Sequence, residues 1–200
     1  ELFDVAMGCV DRAGAMARSC LNAPEDELDR TWLCDPPDAA LSLLLDASDP
    51  SVLARRVVEL AQACKRIAAA QPPLVRARLP CKIFGDTHGQ LRDVLLLFAS
   101  FGAPTHKNAG DVELCSYVFN GDFIDRGEHQ VALVALLFAL KALYPQRIYL
   151  VRGNHEFRST SERMGPTSFR AACSRAFPPA DAHEVYEACF GVFEWLPLAA

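Results

Sequence analysis

Three short segments of this 200-residue chain have residue types and spacing suited to one chemistry. They are Lys82-Ile83-Phe84-Gly85-Asp86-Thr87-His88-Gly89, Tyr117-Val118-Phe119-Asn120-Gly121-Asp122-Phe123-Ile124-Asp125-Arg126-Gly127 and Ile148-Tyr149-Leu150-Val151-Arg152-Gly153-Asn154-His155-Glu156. Asp86 and Asp122 offer carboxylate oxygens, His88 an imidazole nitrogen and Asn154 an amide oxygen. Oxygen and nitrogen donors without thiolate favour Fe, Mn, Zn or Mg. Asp86 and His88 alternate along an extended turn, so both can reach one ion, and a carboxylate such as Asp122 can bridge two. Two ions roughly 3.5–4 Å apart serve phosphoester hydrolysis by polarising phosphoryl oxygens and acidifying a shared water. The neighbours extend the pattern. His155 is placed to protonate a leaving alkoxide, Asp125 to orient His155, and Arg126 supplies a forked donor suited to phosphate.

Alone, a Gly-Asp turn is common and an Asp-Arg pair is ordinary surface. The weight lies in the ordered recurrence of three such clusters, each directly after an apolar strand. Ligands of α/β sheets gather outside the carboxyl ends of the strands, so residues 86, 122 and 154 are expected to meet in space. The glycine before each cluster is expected to let the backbone turn sharply.

The elements that must position these clusters follow from periodicity and breakers. Strands are expected at Lys82–Phe84, Ser116–Phe119 and Arg147–Val151, with helices at Leu91–Phe101 and Val131–Leu143 between them. This alternation predicts βαβ units and parallel pairing. Upstream, helices are expected over Val5–Leu21, Asp38–Ala47 and Ser51–Ala70, with a short one from Pro24. Downstream, Ser159–Glu162 predicts a turn of helix, and Phe169–Phe177 and Ala182–Phe190 predict helices separated by Pro178-Pro179.

Apolar residues make up 51% of the chain and charged residues 22%, which marks it as globular. Its charge of −5 and pI near 5.5 argue against a nucleic-acid surface. Eight cysteines without a CxxC pair are expected to be reduced and buried, as in an intracellular protein. The longest apolar run, Val131–Leu140, is too short to span a bilayer. No membrane association is expected, and the location is expected to be cytoplasmic or nuclear.

The residues Gly85 to Gly89, Gly121 to Gly127 and Arg152 to Glu156 resemble the GDxHG, GDxVDRG and GNHE motifs of the PPP family of metal-dependent serine/threonine protein phosphatases, within the calcineurin-like metallophosphoesterases. Gln71-Pro72-Pro73-Leu74 and Phe193 to Ala199 resemble the family's flanking segments, so the resemblance covers about residues 40–200. Thr87 and Phe119-Asn120 look most like the type-5, EF-hand-containing and plant type-7 branch. The resemblance implies an α/β fold, a β-sandwich flanked by helices in four αββα layers, of which this chain holds the N-terminal part. It also implies two metal ions (Mn, Fe or Zn). Asp86, His88 and Asp122 would bind the first and Asp122 and Asn154 the second. His155 would be the proton donor oriented by Asp125, Arg126 would bind phosphate, and water would attack phosphorus without a phosphoenzyme. A phosphoprotein substrate and regulatory subunits are the implied partners.

On this reading residues 1–37 form an N-terminal extension and 38–200 the N-terminal part of a catalytic domain. The family's further histidines and second arginine are expected beyond Ala200. His183 is a poor stand-in, and His106 and His129 are expected at the surface. The Pro104–Ser116 connection is longer than usual, and Ser161–Ser168 replaces a more aromatic segment. Two alternatives stand beside protein dephosphorylation: an incomplete or weak phosphatase-like protein, and a metallophosphoesterase for other phosphoesters.

Overall fold

The computed structural model describes residues 1–22, 37–106 and 110–200. The helix expected from Pro24 lies outside them. The elements in order are α1 (Leu2–Asn22), α2 (Pro37–Leu45), α3 (Pro50–Ala69), β1 (Cys81–Phe84), α4 (Leu91–Phe101), β2 (Ser116–Phe119), α5 (Gln130–Leu143), β3 (Ile148–Leu150), α6 (Arg158–Ser161), a 3-10 turn (Glu162–Thr167), α7 (Phe169–Ala176) and α8 (Pro179–Phe193). Among the described residues, the three strands form one parallel sheet in the order β1-β2-β3. Cys81 pairs with Ser116 and Phe84 with Phe119, while Tyr117 pairs with Ile148 and Phe119 with Leu150. The expected parallel βαβαβ order is therefore present.

Parallel strands need crossovers, and α4 and α5 supply them. Helix α5 is apolar almost all round and buried along nearly its whole length, as a helix covered on several sides must be. It packs against α1, α3 and β3. One sheet face, carrying Phe84, Tyr117, Phe119, Ile148 and Leu150, joins the main core with these helices. Phe84 stacks on Phe119 at 4.7 Å between ring centroids, with Phe98 of α4 edge-on to Phe84 at 5.8 Å. The other face carries Val118, Tyr149 and Val151 and is covered by Val75 and Ala77. Residues 73–75 pair there with Leu198 and Ala199.

Helix starts explain two differences from the sequence expectation. Asp49 caps α3, accepting from Ser51 N–H at 2.8 Å and Val52 N–H at 3.2 Å, and Pro50 takes the first helical position. Pro179 likewise opens α8 rather than lying in a break before it. Proline fits there because its missing N–H would have no partner in the helix. His129 is buried, not at the surface as expected, because the start of α5 tucks under the Gly89 turn, where His129 N–H bonds Gly89 O at 3.2 Å. Helix α1 puts Ala6, Cys9, Val10, Ala13, Met16 and Ala17 into the main core, against α4 and α5.

Lys141, on the last turn of α5, is fully buried. Its ammonium donates to Ile148 O at 2.6 Å and Pro145 O at 3.0 Å, tying the end of α5 to the start of β3. Burial lowers its pKa from 10.5 to about 8. Between those values the unfolded chain binds more protons than the folded one. Stability therefore rises as pH is raised from about 8 to 10.5 and is lost as pH falls through 8. The full span amounts to ~3 kcal/mol. Lys141→Met should lack this rise. Urea midpoints of parent and variant, compared at neutral pH and above pH ~10, should show the variant losing about 3 kcal/mol relative to the parent. A constant difference across pH would contradict the assignment.

Candidate metal centre

Each strand runs directly into its cluster, and the ladder continues as loop-to-loop bonds. Asn120 N–H donates to Phe84 O, Thr87 and His88 N–H to Asp122 O, Gly89 N–H to Phe123 O, and Gly127 N–H to His88 O, at 2.8–3.1 Å. The first and second clusters are thus one interlocked backbone unit. Beside Gly89 and Gly121, which have positive φ of 69° and 92°, functional residues themselves make sharp turns. His88, Asp122, Asp125 and Arg126 all have positive φ, at 39°, 52°, 68° and 73°. Asp and His accept this region more readily than most residues, and the bonded partners hold the strained backbone in place.

Gly121 makes the turn expected of it, with φ of 92°, and together with Gly153 it serves a second end. A Cβ on Gly121 would lie 2.4 Å from Gly153 Cα, and one on Gly153 would lie 2.3 Å from Asp122 Oδ1. The second and third clusters touch backbone to backbone, and side chains there would separate them. Gly85 has no atom within 4 Å of such a Cβ and no positive φ. The turn expected of that glycine is therefore not what the first cluster uses.

Of the residues singled out by sequence, His88, Asp122 and His155 come together. One ligand atom from each lies within 4.8 Å of the other two. The His88 and His155 rings meet edge-on at 4.6 Å, and Asp122 Oδ1 accepts the His155 backbone N–H at 2.9 Å. His88 Nδ1 faces Ile124 O at 2.7 Å, so Nδ1 carries the proton. That leaves Nε2 as a buried lone pair without a hydrogen-bond partner. An imidazole held at Nδ1 by a carbonyl, with an unpartnered Nε2 beside a carboxylate, fits a cation. Asp86 and Asn154 flank this cluster in sequence, and both are exposed. Asp86 stands outside the close-set group. His106 is exposed and paired with Glu113 at 3.0 Å, and His183 is exposed on α8.

His155 Nδ1–H donates to Asp125 Oδ2 at 2.7 Å, both groups being buried. On the other side of the ring, the Arg126 guanidinium donates to Nε2 at 3.3 Å. Arg126 is exposed and therefore open to an incoming anion.

In the sequence Glu156 stands only as the last letter of the third motif. In the fold it is completely buried. Its carboxylate accepts N–H bonds from Asp122 and Phe123 at 2.8 Å each and from Gly153 at 2.9 Å. Burial pushes its pKa up to about 7 against the opposing pull of these three donors. Gln130 was also passed over. Its Oε1 accepts Asp125 N–H at 2.9 Å, and its Nε2 donates to Gly127 O at 2.9 Å and Thr167 O at 3.0 Å. A glutamine opening an otherwise apolar helix was the available signal.

The family model described as calcineurin-like phosphoesterase matches residues 79–200. The serine/threonine-protein phosphatase BSL2 of Arabidopsis thaliana is 38% identical over 144 residues, 72% of this chain and 14% of that protein. The serine/threonine-protein phosphatase PP2A-like PPG1 of Candida albicans is 32% identical over 164 residues, 82% of this chain and 36% of that protein. Among solved structures, a protein serine/threonine phosphatase from Saccharomyces cerevisiae, described as similar to human phosphatase PP5, superposes with a TM-score of 0.62 at 29% identity. That match covers 72% of this chain and 44% of the other. The chain thus spans less than half the length of these relatives.

Glu156→Gln is nearly isosteric, yet it replaces one accepting oxygen with an NH2 that faces backbone donors. It should cost about 2–3 kcal/mol of stability, since a buried N–H is left unpaired. Urea unfolding at neutral pH measures this, and an unchanged midpoint would show that the carboxylate does not join the two clusters.

Proposed function

This chain belongs to the calcineurin-like phosphoesterase family, and we propose that it carries part of the catalytic centre of a protein phosphatase acting on phosphoserine and phosphothreonine. The observation that carries this reading is the His155–Asp125 pair at 2.7 Å, set edge-on against His88 and within reach of Asp122. The phosphatase names of the relatives support the same chemistry.

In this reading His88 and Asp122 would hold one metal ion, with Asp86 brought in from its exposed position beside them, and Asp122 with Asn154 would hold a second. Bound divalent ions supply positive charge that polarises a phosphoryl oxygen and acidifies water. The chain's own residues do the rest. Arg126, exposed at the mouth, donates to the substrate phosphate through its planar fork. With its ring protonated on both nitrogens, His155 gives the Nε2 proton to the leaving serine or threonine oxygen, and the water that bonds to phosphorus supplies the proton that replaces it. Asp125 holds the opposite ring nitrogen and balances the charge the ring carries. A phosphoprotein is the proposed substrate and regulatory subunits the proposed partners, with manganese, iron or zinc as the metal.

No helix among the described residues is long and apolar enough to cross a membrane. A cytoplasmic or nuclear location, in keeping with seven free cysteines among the described residues, all buried but the half-buried Cys81, belongs to the same proposal.

Phosphopeptide hydrolysis and metal analysis of one protein sample test the assignments together. His155→Asn should lower turnover by about 10²–10⁴-fold while metal content stays at the parent level. Asp122→Asn should lower both together, and chelation should abolish turnover until metal is returned. A protein that cleaves phosphodiesters and leaves phosphopeptides untouched would exclude the proposed substrate class.

A further inference from the structure

The carboxylate of Asp125 has no solvent exposure, and its two oxygens are divided between different donors. Oδ2 faces His155 Nδ1–H at 2.7 Å. Oδ1 accepts the Ser161 hydroxyl at 2.7 Å and the Phe169 backbone N–H at 2.8 Å. A buried carboxylate offers only lone pairs, so the serine hydroxyl must be the donor. Ser161 is itself fully buried at the end of α6, and Phe169 is fully buried at the start of α7. The Asp125 main chain is tied as well, with its N–H on Gln130 Oε1 at 2.9 Å.

The segment between the two Oδ1 donors is an exposed excursion. None of Glu162 to Thr167 is buried, and Gly165 turns it with φ of 56°. Its two ends close on one oxygen atom of the second cluster. Thr167 O adds a further tie, accepting Arg126 N–H at 2.9 Å and Gln130 Nε2–H at 3.0 Å. The excursion is thereby fastened to Asp125, Arg126 and Gln130, which also set the position of the His155 ring.

We infer that Ser161 is a positioning residue for His155, acting through Asp125. This rests on the role proposed for His155 above. With Oδ1 held by Ser161 and the Phe169 amide, only Oδ2 is left for the ring. The carboxylate cannot rotate to offer its other oxygen without breaking two charge-assisted bonds. The imidazole is then held with its Nδ1–H on Asp125 and with Nε2 turned to Arg126 and the site. Without the serine hydroxyl, one donor remains on Oδ1 and the carboxylate gains freedom, and the ring orientation loosens with it. Ser161 lies outside the three clusters, and its hydroxyl contacts neither the proposed ligands nor the phosphate-binding arginine.

Nuclear magnetic resonance of the chain labelled with ¹⁵N-histidine tests this, with His155 assigned from the signal missing in His155→Asn. In the parent, the His155 proton should reside on Nδ1, resonate far downfield opposite the buried carboxylate and exchange slowly with water. In Ser161→Ala, with circular dichroism unchanged, that proton should move upfield and exchange about tenfold faster or more. Turnover of a phosphopeptide should fall roughly tenfold through kcat, with KM unchanged.

A parent with no proton on Nδ1, or with a rapidly exchanging Nδ1–H, overturns the inference without recourse to any variant. An unchanged resonance and exchange rate in a folded Ser161→Ala also overturns it. A Ser161-dependent Nδ1–H signal in a full-length protein that turns over no phosphopeptide supports the positioning role and refutes the proposed reaction, so the two failures are distinct.

Discussion

The carboxylate of Glu156 holds the backbone N–H groups of Asp122, Phe123 and Gly153 at once, and the geometry of the site depends on that junction. Three donors converge where the second and third clusters meet. Only a carboxylate offers enough acceptor sites on two oxygens to satisfy all of them. Its burial is costly by itself, which is why its pKa rises. The cost is offset because three buried amides would otherwise be unpaired. Gly121 and Gly153 make the junction possible by letting the two backbones touch. From it follow the placement of Asp122 Oδ1 on His155 N–H and hence the closeness of Asp122, His88 and His155.

Around this junction the chain accepts strained backbone. Four of the five non-glycine residues with positive φ among those described lie in the first two clusters. Each such conformation costs on the order of 1–3 kcal/mol. The strain is held by loop-to-loop bonds that extend the sheet ladder past the strand ends, and beneath it by a thick apolar layer. Helix α5 is covered by α1, α3 and β3 and leaves no soft side under the loops. Lys141 closes the far end of that layer by satisfying the carbonyls of Pro145 and Ile148.

Much of this framework was legible from the chain. Leu91–Phe101 and Ser116–Phe119 have the bounds expected of them, because periodicity and flanking Gly or polar residues are local signals. The parallel order followed from strand and helix alternation, since parallel strands need long crossovers. The readings that differed share one cause. Pro179 opens a helix, His129 is buried and Gly85 makes no tight approach. Each depends on what lies against the residue, which a neighbour in sequence does not reveal. Glu156, Gln130 and Ser161 were passed over for the same reason: their side-chain partners are backbone groups or residues far along the chain.

The sequence by itself determined the donor types and the order in which they arrive. Carboxylate, imidazole, amide and guanidinium follow three apolar strands, and short-range spacing is enough to specify a strand, a turn and a ligand. Only the tertiary structure decided which of those groups meet. His155 and Asp125 are 30 residues apart, and Asp125 and Phe169 are 44 apart. Directional bonds over such separations form only when the sheet and its crossovers fix both partners. Asp86 and Asn154 remained exposed while His88, Asp122 and His155 closed together. The division of Asp125 between His155 on one oxygen and Ser161 with the Phe169 amide on the other has no counterpart in any local pattern of the chain, because it exists only where the strand-end loops, α6 and α7 come together.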